Sequence, residues 1–156
     1  HVNFMSLAAE SIRRYTYISI ALFALIPAYL FRRRLNDYLE RTTILEYAVL
    51  FTVIPLITPV AWKMNFVFLW LPCFLVYGTL FQQSLSLNLG LLKLLKIGFI
   101  IAMALLILSS ELFIGHYLSD LTEAYGFVTI GTLTLLFIQL YIYSKEKKLI
   151  KLIKSY

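Results

Sequence analysis

Three cations of this chain stand where phosphate chemistry could take place. Arg13 and Arg14 come directly before the first long apolar run, and Lys63 lies in the short junction between the second and third runs. Arginine and lysine hold phosphate oxygens by charge-assisted hydrogen bonds, and arginine can form two in parallel. The three cations therefore indicate a site for a lipid phosphate, with simple anchoring at lipid headgroups as the alternative.

The junction around Lys63 contains further residues that suit ligand binding. Trp62 offers an apolar or stacking surface, although it is also typical of the aromatic belt at a membrane surface. The amide of Asn65 can both donate and accept hydrogen bonds. Pro55 and Pro59, one helical turn apart, predict a kinked or unwound helix end. Such a kink is compatible with a cavity open to the membrane surface, which a plain anchor does not need.

Ionisable residues near the ends of the apolar runs form a second group of candidates. Glu46 lies near the start of the second run, where it can pair with Arg41, and Glu111 lies near the end of the fourth. His116 lies in the segment that follows. Intramembrane carboxylates are functional candidates by default, but these lie near enough to the membrane surfaces to be solvated. The structural interpretation of the carboxylates is therefore favoured.

Motifs for other chemistries are missing from the sequence. It contains no glycine-rich nucleotide loop, no His-Glu-x-x-His and no Cys-x-x-Cys. His1, His116 and Cys73 are its only histidine and cysteine residues, too few soft ligands for a zinc or haem site. The sequence therefore predicts neither a metal nor any other cofactor.

The composition places these residues in a membrane. The chain is 61% hydrophobic and 14% charged, whereas a soluble domain is about 45–50% apolar and about 25% charged. Five apolar runs occur, at about residues 15–31, 44–60, 66–81, 97–114 and 124–144. A spanning helix needs about 17–25 residues. We therefore expect an all-α integral membrane protein, with a bundle of about five transmembrane helices over residues 1–144.

The distribution of lysine and arginine predicts the orientation of that bundle. If five spans alternate, eleven of the 14 basic residues fall on one side, and only Arg13, Arg14 and Lys63 on the other. The positive-inside rule puts the larger group in the cytoplasm and the N-terminus outside. Residues 145–156 form a basic cytoplasmic tail, predicted to be an amphipathic helix on the leaflet or, alternatively, a helix end in solvent. The net charge of +6 thus requires no nucleic-acid partner.

Three short segments of the chain, one at the junction and two outside it, form a recognisable pattern. They are the pattern Leu50…Pro55-Leu56…Pro59-x-x-Trp62-Lys63…Phe66-Val67-Phe68…Leu71-Pro72, the segment 124–132, and Asn3-Phe4-Met5-Ser6-Leu7 with the following Arg13 and Arg14. Together they resemble the C-terminal part of bacterial glycosyltransferase family 87, whose members are polytopic C-type enzymes. The resemblance covers about the last third of a normal family member.

The resemblance implies glycosyl transfer from a polyprenyl-phosphate sugar donor at the extracytoplasmic face of the bacterial cytoplasmic (inner) membrane. Arg13, Arg14 and Lys63 would then bind the lipid phosphate. Trp62, Asn65 and His116 would bind sugar or acceptor. The family's catalytic aspartate lies in the first extracytoplasmic loop of the full enzyme, and nothing in this chain corresponds to it. The chain is therefore expected to need the rest of a larger membrane protein or complex for catalysis.

Two other functions remain open from the residues alone. A non-catalytic scaffold subunit of a larger membrane complex is the principal alternative, because no catalytic constellation is complete. A small transporter or channel is disfavoured by the five-span count and by the lack of internal repeats and of charge at mid-membrane. The chain begins with His1 and no signal peptide is recognisable, which predicts that it starts inside a longer protein.

Overall fold

A computed structural model describes residues 9–30, 32, 41–57, 62–82, 88–109, 111–124 and 126–153. Within these ranges the chain forms α-helices and no strand, which confirms the all-α class. The helices are α1 (Ala9–Leu30), α2 (Arg41–Ile57), α3 (Trp62–Tyr77), α4 (Leu89–Leu108), α5 (Glu111–Ala124) and α6 (Phe127–Ile153), with a π-helical turn at Gly78–Gln82 after α3. The segment 3–7 and Pro59, both used in the family resemblance, lie outside the described residues.

Helix α6 lies between α2 and α4 and runs antiparallel to both. Two hydrogen bonds join α2 to α6 in reverse order, from Tyr143 to Glu46 and from Thr52 to Gln139. On the other side, Gly98 in the middle of α4 faces Ile138, whereas Gly131 near the start of α6 lies against Ala102 and the following turn of α4. The core of the protein is therefore built between α2, α4 and α6.

Helices α1 and α3 complete an up-and-down arrangement. Helix α1 packs on α2, and its last turns border a groove with the C-terminal half of α6. Phe51 of α2 stacks on Phe68 of α3 at 6.0 Å, and Phe81 after α3 meets Phe99 of α4 at 6.2 Å. We call the end with the starts of α1, α3 and α6 the upper end, and the opposite end the lower end.

The fourth helix differs from the predicted 97–114. It begins at Leu89, where the Asn88 side chain accepts a hydrogen bond from the Gly90 amide at 3.3 Å. It ends before Ser109, whose hydroxyl donates back to the Leu105 carbonyl at 2.6 Å. The prediction was wrong because it followed hydropathy alone and passed over both polar caps.

A separate helix, α5, follows at the upper end where the sequence predicted the end of the fourth span. Gly115 interrupts it with φ 75° and ψ 170°, a conformation that is essentially restricted to glycine. Ser119 fixes α5 to the end of α4 by donating to the Ser109 carbonyl at 2.9 Å. His116 is therefore carried by a short helix that covers the upper end.

Two of the described helical segments, Leu89–Leu108 and Phe127–Glu146, are long and apolar enough to cross a membrane by length and composition. Two shorter apolar segments, Thr43–Ile57 and Val67–Gln82, correspond to the second and third predicted runs. Helix α6 continues without a break to Ile153, so the first part of the predicted tail is a continuation of the last long helix.

Candidate functional site

The two arginines predicted to bind phosphate are exposed near the start of α1, at the upper end. The guanidinium of Arg13 lies over the ring of Tyr17, 5.7 Å from its centroid. This contact holds the arginine against its own helix and leaves its N–H edge available to a ligand. Glu10, one turn earlier and also exposed, is a nearby carboxylate that offsets part of this positive charge.

The remaining predicted site residues are carried by two other helices. Trp62, Lys63 and Asn65 occupy the first turn of α3, so their backbone lies at the upper end, while their side chains lie outside the described residues. His116 is exposed on α5 at the same end. The structure thus places all six residues at one end, on α1, α3 and α5, and the convergence of their side chains stays a prediction.

A buried carboxyl–phenol pair lies inside the lower half of the bundle. The hydroxyl of Tyr143 on α6 donates to Glu46 Oε1 on α2 at 2.7 Å. Glu46 and Tyr143 are only 7% and 6% exposed. The expectation that Glu46 is solvated is therefore wrong, because its side chain is buried and accepts a hydrogen bond from Tyr143 of α6. The side chain of Arg41, the partner expected from the sequence, lies outside the described residues.

A second polar pair lies further up the same interface. The hydroxyl of Thr52 is 3.0 Å from Gln139 Oε1 and 2.9 Å from the Ala48 carbonyl, so its single hydrogen has two competing acceptors. Gln139 is fully buried, and among the described residues its Nε2 is a buried polar atom without a hydrogen-bond partner. Sequence analysis missed this pair, although the four-residue spacing of Gln139 and Tyr143 puts both on one face of α6.

Replacing Tyr143 by phenylalanine is expected to lower the free energy of unfolding by about 1–3 kcal/mol, because Glu46 then loses its hydroxyl donor inside the bundle. The matched variant Glu46→Gln keeps an oxygen that can accept this bond and is expected to change stability much less. Unfolding of both variants in detergent, followed by circular dichroism, measures the difference. Equal losses in the two variants would show that the hydrogen bond is not the stabilising contact.

Metal chemistry finds no support in the described part of the chain, where no group of three or more histidine, cysteine or acidic residues could hold an ion. Comparisons with protein families, curated proteins and solved structures found no match. The geometry of the chain itself is therefore the basis for assigning its class and function.

Proposed function

We propose that the bundle spans a membrane five times, through α1, α2, α3, α4 and α6. Helix α4 supports this best, because only 17% of its most apolar window is buried inside the protein. Ile97, Ile100 and Ile101 on this helix are each about half exposed. A soluble monomer rarely exposes so continuous an apolar surface, whereas lipid covers one at no cost.

The orientation we propose has the upper end outside the cytoplasm. Apart from Arg13 and Arg14, the basic side chains that the structure describes are Arg32, Lys93, Lys96 and Lys145, and these four lie at the lower end. By the positive-inside rule this end faces the cytoplasm. The N-terminus is then extracytoplasmic, and α6 leads the basic tail into the cytoplasm.

In this setting we propose that the chain is the C-terminal membrane part of a glycosyltransferase using a polyprenyl-phosphate sugar donor. One observation carries the proposal beyond the family resemblance. Arg13 and Arg14 are exposed at the upper end, whereas the other basic side chains that the structure describes lie at the lower end. Two adjacent exposed arginines at an extracytoplasmic surface suit a lipid phosphate, which both can contact through N–H groups.

The chemistry divides between this chain and the rest of the enzyme. A carboxylate outside this chain takes the proton of an acceptor hydroxyl, whose oxygen forms a bond to the anomeric carbon of the sugar. The bond between that carbon and the phosphate oxygen breaks, and its electron pair stays on the polyprenyl phosphate. Arg13, Arg14 and Lys63 stabilise the negative charge of this leaving group. Trp62, Asn65 and His116 position the sugar or the acceptor.

Binding of undecaprenyl phosphate to the purified chain tests the proposal. Arg13→Gln with Arg14→Gln is expected to weaken binding about tenfold or more, since each cation near an anionic lipid contributes about 1 kcal/mol. Lys93→Gln with Lys96→Gln removes the same charge at the lower end and is expected to leave binding unchanged. Equal effects of the two double variants would show that the arginines only attract the anionic lipid nonspecifically, and would overturn their proposed role in binding the phosphate.

A scaffold subunit is the second candidate, and α1 is the observation that favours it. Ile18, Leu22 and Leu25 form a row of exposed apolar side chains, 49%, 59% and 63% accessible, at helical spacing. Such a row suits packing against a helix of another membrane protein. If scaffolding is the function, Leu22→Asn releases a co-purifying partner, and the double arginine variant leaves undecaprenyl phosphate binding unaltered.

A further inference from the structure

A groove lies between α1 and α6 at the lower end of the bundle. The proposed transfer site lies at the upper end. Its volume is about 470 Å³, within the range of about 300–1,000 Å³ typical of small-molecule sites. Its walls are mainly apolar, from Leu25 and Ile26 of α1 and Leu140 of α6. Polar atoms enter only through Tyr29, Tyr143 and Ser144, so the groove suits a hydrocarbon chain with a polar head at one end.

The inner wall of the groove is held in place by the bundle. Tyr143 lines the groove, and its hydroxyl donates into the interior to Glu46 at 2.7 Å. The phenol ring is thereby fixed, while its polar atom is committed to Glu46. The groove consequently presents an apolar surface of defined shape on the α6 side rather than a cleft that side chains can fill by rotating.

One described cation lies beside the groove where it reaches the lower end. The guanidinium of Arg32 lies 5.8 Å from the centroid of the Tyr29 ring, which lines the groove. Lys145, one position after the lining residue Ser144, leaves α6 about 100° away from it, and its Nζ lies 5.7 Å from the centroid of the Tyr141 ring, outside the groove lining. Glu146, the next residue along α6, is half-buried and already engaged with another group. The charge beside the groove, carried by Arg32, is therefore complementary to an anion.

We propose that this groove binds one anionic glycerophospholipid of the cytoplasmic leaflet. An acyl chain lies between α1 and α6, and the phosphate lies beside Arg32, with the Ser144 hydroxyl as an additional donor. Basic pockets between spanning helices on the cytoplasmic side are typical sites for anionic headgroups. The lipid fills the space between α1 and α6 and so ties α1 to the bundle. This role is separate from binding of the sugar donor.

Native mass spectrometry of the full chain in a nonionic detergent, titrated with dioleoyl-phosphatidylglycerol or dioleoyl-phosphatidylcholine, tests the proposal. One phosphatidylglycerol is expected to bind preferentially. Arg32→Gln is expected to weaken its binding about fivefold and to leave phosphatidylcholine unchanged, whereas Lys145→Gln removes the same charge from another face of α6 and is expected to have little effect. Arg32→Lys keeps the charge and is expected to retain most of the affinity.

A steric variant tests the groove independently of charge. Ile26→Trp fills it and is expected to abolish retention of the lipid, whereas Leu94→Trp on α4, at a position 64% exposed, is expected to retain it. Circular dichroism confirms that each variant stays helical. Equal binding of the two lipids, or unchanged binding after Arg32→Gln, overturns the proposal. Loss of a dimer rather than of lipid in Ile26→Trp also overturns it and assigns the groove to a second copy of the chain.

Discussion

Replacing Gly131 by alanine is expected to destabilise the bundle, although the same change at Gly98 is expected to be tolerated. A Cβ atom at Gly131 would lie 3.1 Å from the Ala102 carbonyl oxygen and 3.1 Å from Leu106 Cγ. The carbonyl belongs to the backbone of α4, so relief requires the two helices to move apart. Overpacking of this kind costs about 1–3 kcal/mol. Gly131→Leu, which adds a branched side chain at the same point, is expected to prevent α4 and α6 from packing.

Gly98→Ala is a matched control for this effect. Its Cβ would meet only Ile138 Cδ1 at 3.6 Å, an ordinary contact with the end of a flexible side chain. Both changes gain about 1 kcal/mol of helix propensity, so the difference between them isolates the close approach at Gly131. Thermal unfolding in detergent, followed by circular dichroism, should give Gly98→Ala a midpoint at or above that of the parent, with Gly131→Ala below it. A Gly131→Ala midpoint matching that of Gly98→Ala would show that the helices do not depend on this contact.

The sequence predicted the helices better than their ends. Apolar runs identify α2, α3 and α6 because a helix that exposes its surface to lipid must be apolar on all sides. The predicted range of α4 was shifted towards the C-terminus because Lys93 and Lys96 interrupt the first turns of the helix. A prediction from hydropathy places the helix boundary after these lysines. Lysines at a membrane surface can remain within a helix by extending their charge towards water. Asn88, a good N-cap residue, was the signal that could have corrected the start.

The interior polar pairs could be predicted only in part. A single glutamine or threonine inside an apolar run has no partner that can be recognised in the sequence, because the partner lies on another helix. Thr52 and Gln139 are 87 positions apart in the sequence, and Glu46 and Tyr143 are 97 positions apart. Glu46 was noticed because a carboxylate in an apolar run is conspicuous. Its burial could not be predicted, because it depends on Tyr143 of α6 packing over it rather than on distance from the run end.

Substitutions of Thr52 and Gln139 are expected to change the free energy of unfolding in opposite directions. If Thr52 becomes valine, Gln139 Oε1 loses the hydroxyl that donates to it. The buried amide then keeps no hydrogen bond to residue 52, and the free energy of unfolding should fall by about 1–3 kcal/mol. If Gln139 becomes leucine, Thr52 still donates to the Ala48 carbonyl at 2.9 Å, so no polar atom of the pair is left unsatisfied. Because Nε2 of Gln139 has no partner among the described residues, its removal should leave stability unchanged or raise it by about 1 kcal/mol.

The double variant distinguishes this explanation from a simple loss of packing. With Thr52→Val and Gln139→Leu together, both polar groups are replaced by apolar ones of similar size, a change that can be nearly neutral. The double variant should therefore be more stable than Thr52→Val alone, and the two changes should be strongly non-additive. Free energies of unfolding for the four proteins, measured by titration from mild detergent into dodecyl sulfate, give the coupling directly. Additive losses of stability would mean that each side chain stabilises the α2–α6 interface by its own packing. They would also mean that the buried amide of Gln139 does not destabilise the protein.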